Sequence, residues 1–450
     1  MNPPIAIKRR ERDAVLQSLQ AGLVPKQGLH LIQVGRKAEV SALLQDLDRI
    51  GDEGASFRIV VGRFGSGKSF FLNLVRNLAF QKKLVVVQAD FSMERRLYAS
   101  GGQARALYTE LMRNMATKAQ PDGGALPSVL STWVSQVQHA VMSAGGVPAD
   151  VEKRIGEDLR DLQNHVGGFE FAEVVRAFYR GHVEKNETLQ AAALKWLRGE
   201  YTTKTDARTE LGVRRIVDDD SFYDSLKLMA AFVRKAGFGG LLVNLDEMVV
   251  LSHRLPNSRA RQANYEALLT LLNDSFQGNS RGLGFILAGT DECLEDKRRG
   301  LFSYEALRSR LAENTIARQQ GLVDLSGPVV RLQPLTPEDL FVLLKNIALV
   351  HAGGDSAKVL VSDDGVVATL RAASERLGSD YFRTPRDVVR SFIGLLNLLD
   401  QNPGKTWQDL LGADVFKKPE VPMSAEEEFA NGAAPATDDA ADDDLTVIKP

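Results

Sequence analysis

A single cysteine and six scattered histidines in 450 residues leave little scope for metal or disulfide chemistry. Cys293 alone closes no intramolecular disulfide, and the histidines show no metal-ligand spacing, so a disulfide scaffold and a structural zinc site are both excluded. Long apolar runs are missing too: none approaches the roughly 20 residues of a membrane span, and no membrane partner is expected. Residues 1–8 lead into Arg9, Arg10, Glu11, Arg12 and Asp13 without the apolar core or small-residue cleavage site of a secretory leader, which makes the cytoplasm the expected compartment. The eight tyrosines form no platform on which bases would stack.

Net charge is also lacking, at minus 2 from 56 basic and 58 acidic residues, but the balance is uneven. Residues 421–450 hold eight acidic residues and one basic, a net minus 7, while the preceding 420 residues carry plus 5. The tail is rich in Ala, Asp, Glu and Pro and cannot bury enough apolar surface to offset its ordering entropy, so disorder is expected there. Its last six residues, LTVIKP, form a short apolar terminus on an acidic tether, open to a docking role or to plain solvation.

What is present in strength is a phosphate-binding signal. A β-branched run, FRIVV at 57–61, leads into GRFGSGKS at 62–69 and then into the helical pattern FFLNLVRNL. Strand, glycine loop and helix stand in the order a P-loop requires. Gly62, Gly65 and Gly67 let backbone N–H groups curl around a triphosphate with no Cβ in the way, and the helix start adds to the anion site. Lys68 is the candidate for the β- and γ-phosphates and the Ser69 hydroxyl for Mg²⁺, with Phe64, Ser66 and Phe70 completing the loop.

The second half of such a site is LLVNL at 241–245, a buried-strand run ending in Asp246 and Glu247. Asp246 is the expected Mg²⁺ ligand and Glu247 the base that polarises the attacking water; the bland alternative is a strand followed by an acidic helix cap. GFILAGT at 284–290 reads as another strand with a hydroxyl, Thr290, at its carboxyl end. Between the two strands, Tyr265, Leu268, Leu269, Leu272 and Phe276 have the spacing of an amphipathic helix. With LVVVQAD at 84–90 and VVRL at 329–332 this makes five strands separated by helices. The expected class is therefore α/β, a parallel five-stranded sheet with nucleotide at the strand carboxyl ends.

With these pieces in order the chain resembles an AAA+ ATPase of the branch that includes origin-recognition and STAND-type signalling ATPases. VGRKAE at 34–39 is similar to the box by which that branch receives adenine, which implies Gly35 and Arg36 as nucleotide-binding residues. Thr290 falls at the first sensor, a polar side chain near the γ-phosphate. YEALRSRL at 304–311 is similar to the segment that presents an arginine finger to a neighbouring subunit, and Arg310 or Arg308 would be that finger, with a solvated helix face as the alternative. LQPLTPEDL at 332–340, with Thr336 as N-cap and Pro337 at the first helical position, opens what resembles the helical lid. TPRDVVR at 384–390 resembles the second sensor, with Arg386 as candidate and Arg383 as alternative.

Four phrases narrow the resemblance: GLVPKQGLHLIQVGRKAEV, VVGRFGSGKSFFLNLVRN, ADFSMERRLYASGGQARALYTELMRN and YFRTPRDVVRSF. Together they resemble the BrxD-like ATP-binding proteins of BREX-type bacteriophage-defence operons, relatives of which accompany Lhr-type helicases. What the likeness implies is a MgATP-binding and hydrolysing ATPase that forms a homo-oligomer or an AAA+ co-assembly and works beside a DNA-processing or helicase partner. The alternative is a nucleotide-dependent scaffold or signalling switch with slow hydrolysis and no direct action on DNA.

In one respect the chain departs from a minimal AAA+ module: Asp246 follows Lys68 by 178 residues. The expected organisation is an N-terminal extension (1–33), an α/β core (34–100 and 236–332), a helical insertion (101–235), a helical lid (333–400), a short extension (401–420) and the acidic tail. Helical spacing in the insertion covers 104–113, 129–144, 151–165, 169–180, 187–199 and 221–235. Residues 101–240 hold 18 basic and 18 acidic residues, so bulk charge does not support DNA contact. The local clusters Arg154/Arg160, Arg176/Arg180 and Arg214/Arg215, and the basic start at 8–12, leave a stripe open.

Overall fold

The computed structural model describes residues 7–320, 322–377 and 385–411. The acidic tail with its apolar terminus, residues 412–420 of the short extension, Arg383 and Thr384 lie outside the described residues.

Five strands form one parallel sheet, as expected: β1 (Ala55–Val61), β2 (Val85–Asp90), β3 (Leu241–Asp246), β4 (Leu283–Gly289) and β5 (Val329–Arg331), in the order β2-β3-β4-β1-β5. Every position of β1 and β4 is buried, as are five of six in β3. This is why the strands read as continuous apolar runs, without the alternation of a half-exposed strand. The register pairs Val85 with Leu241 and runs to Asp90 beside Asp246, so β2 and β3 end level with a carboxylate each.

The described residues cluster into two compact units. One takes in those of 7–41, 60–75 and 330–411, and the other 42–59 and 76–329. In the first, the helix Arg9–Gln20 packs on the helices Pro337–His351 and Pro385–Gln401. Its Val15 joins a cluster with Leu340, Leu344, Ile347, Phe392 and Ile393, and Phe70 of the P-loop helix lies against it. The helix Arg9–Gln20 thus completes the core between these two helices. Pro337–His351 begins as its sequence dictates. Thr336 Oγ1 accepts from the Asp339 N–H at 3.1 Å, and the Asp339 carboxylate accepts from the Thr336 N–H at 3.2 Å. Proline at the first helical position surrenders no bond that the helix would otherwise make.

The second unit carries the insertion as a helical layer. Phe232 on the helix Phe222–Lys235 meets Trp133 edge-on at 5.5 Å between centroids and Phe171 at 5.1 Å. The helices Leu126–Ser143 and Gly168–Val183 are thereby joined to it, each ring pair adding about 0.5–1.5 kcal/mol beyond burial.

Two expectations here need correction. The segment 151–165 is not one helix: Pro148–Asp158 ends there and a short 3₁₀ turn, Arg160–Asn164, follows. A helix that the spacing does not reveal, Lys204–Leu211, buries only Ala207, so it carries almost no apolar periodicity. Its signals are its two ends: Thr203 Oγ1 accepts from the Asp206 N–H at 3.1 Å, and Gly212 closes it at φ 74°. In the helix Ser258–Gln277 the buried stripe is Tyr265, Leu268, Leu271 and Leu272, while Phe276 is 56% exposed; the stripe continues through Ser275 instead.

β1 is anchored by a buried ion pair. Arg58 Nε donates to Asp46 at 2.6 Å and Nη2 at 3.2 Å, with both residues under 10% exposed. Arg58 Nη1 also donates to the carbonyls of Leu325 and Gly327. Removing one partner leaves an uncompensated buried charge, so Asp46→Ala is expected to lower unfolding stability by about 3–5 kcal/mol. Chemical denaturation would check this, and a loss no larger than that of a surface pair would exclude an anchoring role.

Candidate functional site

The loop at 62–67 has the backbone a phosphate cradle needs. Gly65 and Gly67 sit at φ 71° and 91°, in the left-handed region that a side chain resists. A Cβ on Gly62 would lie 2.7 Å from Ser66 Oγ, so the loop closes on itself only with glycine there. Lys68 starts the helix Lys68–Gln81. It is 5% exposed, and its Nζ donates to the carbonyls of Gly62 and Arg63 at 3.1 and 3.2 Å, which wraps the cation around the loop. Ser66 Oγ is buried without a protein partner, whereas Ser69 is exposed at the helix start. An orphaned buried hydroxyl inside a cradle that a Cβ would fill fits an anionic ligand, and ATP suits this donor set.

Gly35 and Arg36 belong to the same unit. Both have positive φ, 62° and 57°, and Arg36 Nη2 donates to the Ser66 carbonyl at 2.5 Å. A Cβ on Gly35 would stand 3.1 Å from the Asp339 carboxylate at the start of the helix Pro337–His351. Burial lowers the pKa of the Arg36 guanidinium, against the pull of Glu39 and Asp339. The segment 34–39 therefore braces the P-loop backbone. Nothing in the motif's residue types announces that contact. Arg386 lies in this unit too, its guanidinium over the ring of Phe64.

In the other unit, Asp246 ends β3 and its Oδ1 accepts from the Glu247 N–H at 2.9 Å. Glu247 has φ 60°, an uncommon backbone for a non-glycine residue and one that costs on the order of 1 kcal/mol or more. It is held there from both sides: Met248 N–H donates to Ala288 of β4 and Val250 N–H to Glu247, opening the π-helical turn Val250–Arg254. Within that turn His253, 3% exposed, bonds Ser252 Oγ at 2.8 Å and the Asp296 carboxylate at 3.3 Å. Burial lowers the His253 pKa while Asp296 opposes. Ser252 is fully buried and also donates to the Val249 carbonyl, so this is a structural brace for the turn, not a nucleophile and base.

Thr290 is 2% exposed and caps the short helix Asp291–Glu295, accepting from the Cys293 N–H at 3.3 Å. Cys293 is fully buried, as an apolar filler would be. Arg308 pairs with Glu305, and Arg310 donates to Asn273 at 2.7 Å and to the Ala306 carbonyl at 3.0 Å. Both arginines are exposed on the helix Glu305–Leu311.

Of the insertion's cationic clusters, Arg154 pairs with Asp158, Arg176 with Glu173, Arg180 with Glu152 and Arg215 with Glu170, at 2.7, 2.7, 3.0 and 4.0 Å. These pairs match the reading of a solvated, charge-balanced surface.

The profile of the family described as "BREX system ATP-binding protein BrxC/D" matches residues 7–415. The chain belongs to that family. The resemblance drawn from the residues holds, and an ATP-binding role within BREX follows at that level. No curated protein matches the sequence. A crystal structure of Cdc6p from Pyrobaculum aerophilum is similar with a TM-score of 0.38 at 13% identity, over 82% of this chain and 63% of that one. This BrxC/D-family chain thus spans less than two thirds of that protein's length. Among the described residues no helix is long and apolar enough to cross a membrane, and no cluster of His, Cys, Asp or Glu forms a ready-made metal cage.

One further carboxylate escapes motif reading. Asp90, at the end of β2 opposite Asp246, has its pKa raised, first by burial of the carboxyl and then by the Asp246 charge, with Arg95 opposing. The residue reaches solvent at the strand end, yet the facing carboxylate by itself requires the upward direction. The fold favours protonated Asp90. That stabilisation is full below the ordinary aspartate pKa of about 3.9 and is lost as pH rises through the raised folded value. Asp90→Asn, neutral throughout, is expected to raise Tm at about pH 8, with a gain that shrinks as pH is lowered to about 4. Melting curves across that range check it, and equal stability at the upper end would remove the repulsion.

Proposed function

We propose that this BrxC/D-family chain binds MgATP and hydrolyses it, and that turnover serves a DNA-processing partner in bacteriophage defence. The observation that carries the reading is the P-loop itself, with Gly65 and Gly67 in left-handed backbone, Lys68 Nζ bonded to the carbonyls of Gly62 and Arg63, and the Ser66 hydroxyl orphaned. The pair Asp246 and Glu247 supports hydrolysis over passive binding, because a carboxylate held beside the metal-ligand candidate in strained backbone is costly to keep for a cap alone.

Each residue then has one task. Backbone N–H groups of 65–69 and Lys68 hold the β- and γ-phosphates, and Gly35 and Arg36 receive the nucleotide while bracing the loop. Ser69 and Asp246 are the residues to hold Mg²⁺, which when bound neutralises charge on the phosphate oxygens. Glu247 takes the proton of the attacking water, and Thr290 and Arg386 position groups around the γ-phosphate. Arg310, or else Arg308, is the finger toward a neighbouring subunit, in a homo-oligomer or an AAA+ co-assembly. Its exposure leaves it accessible to a neighbour. The paired arginines of the insertion favour a protein partner, a helicase or other DNA-processing factor, over direct DNA contact.

Lys68→Ala is expected to abolish ATP binding in equilibrium titration, and retained binding would remove the P-loop assignment. Glu247→Gln should bind ATP normally but lose turnover by on the order of 10²- to 10⁴-fold, measured as released phosphate. Unchanged turnover would mean Glu247 is not the base. Sizing the protein with ADP, ATP and ATP plus duplex DNA separates a working assembly from a slow scaffold whose assembly ignores DNA.

A further inference from the structure

A phosphate loop uses only the backbone of its variable positions, so the large ring of Phe64 needs another explanation. The Arg386 guanidinium lies over that ring, with Cζ 5.2 Å from the centroid, inside the ~6 Å reach of a cation–π contact. Arg386 sits in the first turn of the helix Pro385–Gln401, where the positive end of the helix dipole disfavours a cation. Two features offset this. One is the negative face of the ring. The other is the C-terminal end of the helix Arg9–Gln20, whose Gln20 carbonyl accepts from Arg390 Nε at 3.2 Å. Gly22 follows at φ 73°, so close that a Cβ there would stand 3.6 Å from Arg386 Nε and 3.3 Å from Arg390 Cδ. The arginine is thus seated between the end of the N-terminal helix and the phosphate loop.

We propose that Phe64 is a positioning residue: its ring holds the Arg386 side chain against the phosphate loop, so that discrimination of ATP from ADP depends on Phe64 through Arg386. The inference rests on the reading of Arg386 as the γ-phosphate sensor. Arginine loses much rotamer freedom when it is fixed to a ligand, and a ring that limits this freedom beforehand leaves less to lose on binding. Because ADP lacks the γ-phosphate, the benefit goes to ATP alone.

The test measures dissociation constants of the full chain for ATP and ADP, with Mg²⁺, by displacement of a fluorescent nucleotide. Phe64→Leu keeps an apolar group of similar size without a π-face. It should lower the preference for ATP over ADP by about 2- to 10-fold, the scale of one cation–π contact. Phe64→Tyr should restore the preference, and Phe64→Leu combined with Arg386→Ala should be no worse than Arg386→Ala alone. If Arg386→Ala loses the preference and Phe64→Leu keeps it, or if Phe64→Leu weakens ATP and ADP equally, the positioning role is overturned while the sensor reading stands. If Arg386→Ala itself leaves the preference intact, the sensor reading falls and the inference with it.

Discussion

Several backbone N–H groups must converge on one anion without water or a side chain between them, and that requirement shapes the first unit of this protein. It places Gly65 and Gly67 in left-handed backbone and leaves Gly62 no room for a Cβ. Such a loop has few side chains to pack with, because three of the six positions 62–67 are glycine. Its rigidity comes from neighbours: Lys68 to the carbonyls of Gly62 and Arg63, Arg36 to the carbonyl of Ser66, and Phe70 in the apolar cluster of the lid helices. The carbonyls of Gly62, Arg63 and Ser66 are thereby bonded within the protein. Through Phe70 the helix after the loop joins the apolar cluster that Val15 of the N-terminal helix shares with the helices Pro337–His351 and Pro385–Gln401.

A related constraint governs the strand ends of the second unit. Parallel strands that finish level bring polar residues together, and here Asp90 and Asp246 face one another. The repulsion is tolerated at a strand end near solvent. Glu247 is placed by backbone: its left-handed conformation is sustained by the tie from Met248 to β4 and by the π-helical turn that His253 and Asp296 brace. Destabilised local geometry of this kind persists only where the surroundings over-determine it. The insertion contributes none of these groups. Within residues 101–235 Arg154 and Arg180 are answered by Asp158 and Glu152, and Trp133 and Phe171 close on Phe232.

Much of this was legible in the residues, for identifiable reasons. Buried parallel strands must be continuous apolar runs, so all five could be read, and the cap at Thr336 announced itself because capping needs a short polar side chain at one position. The helix Lys204–Leu211 stayed hidden since a helix that buries one alanine has no apolar stripe. Phe276 was misplaced because helical spacing of 3.6 residues lets a stripe drift, and Ser275, small and bonded to the Leu271 carbonyl at 2.8 Å, took the inner position.

By itself the sequence determined the class of chemistry and the scaffold: a glycine loop before a helix, an acidic pair after a strand, and a parallel sheet. The loop and the acidic pair are local patterns, and each buried strand is a continuous apolar run of a few residues. Only the tertiary structure decided which distant groups serve them. Arg36 on the Ser66 carbonyl, Asp90 beside Asp246, His253 against Asp296 and Arg386 over Phe64 join residues 30 to more than 300 positions apart. An arginine's charge is visible in sequence, but its partner is set by packing, since a long flexible side chain takes whichever ring, carbonyl or carboxylate the fold brings within reach.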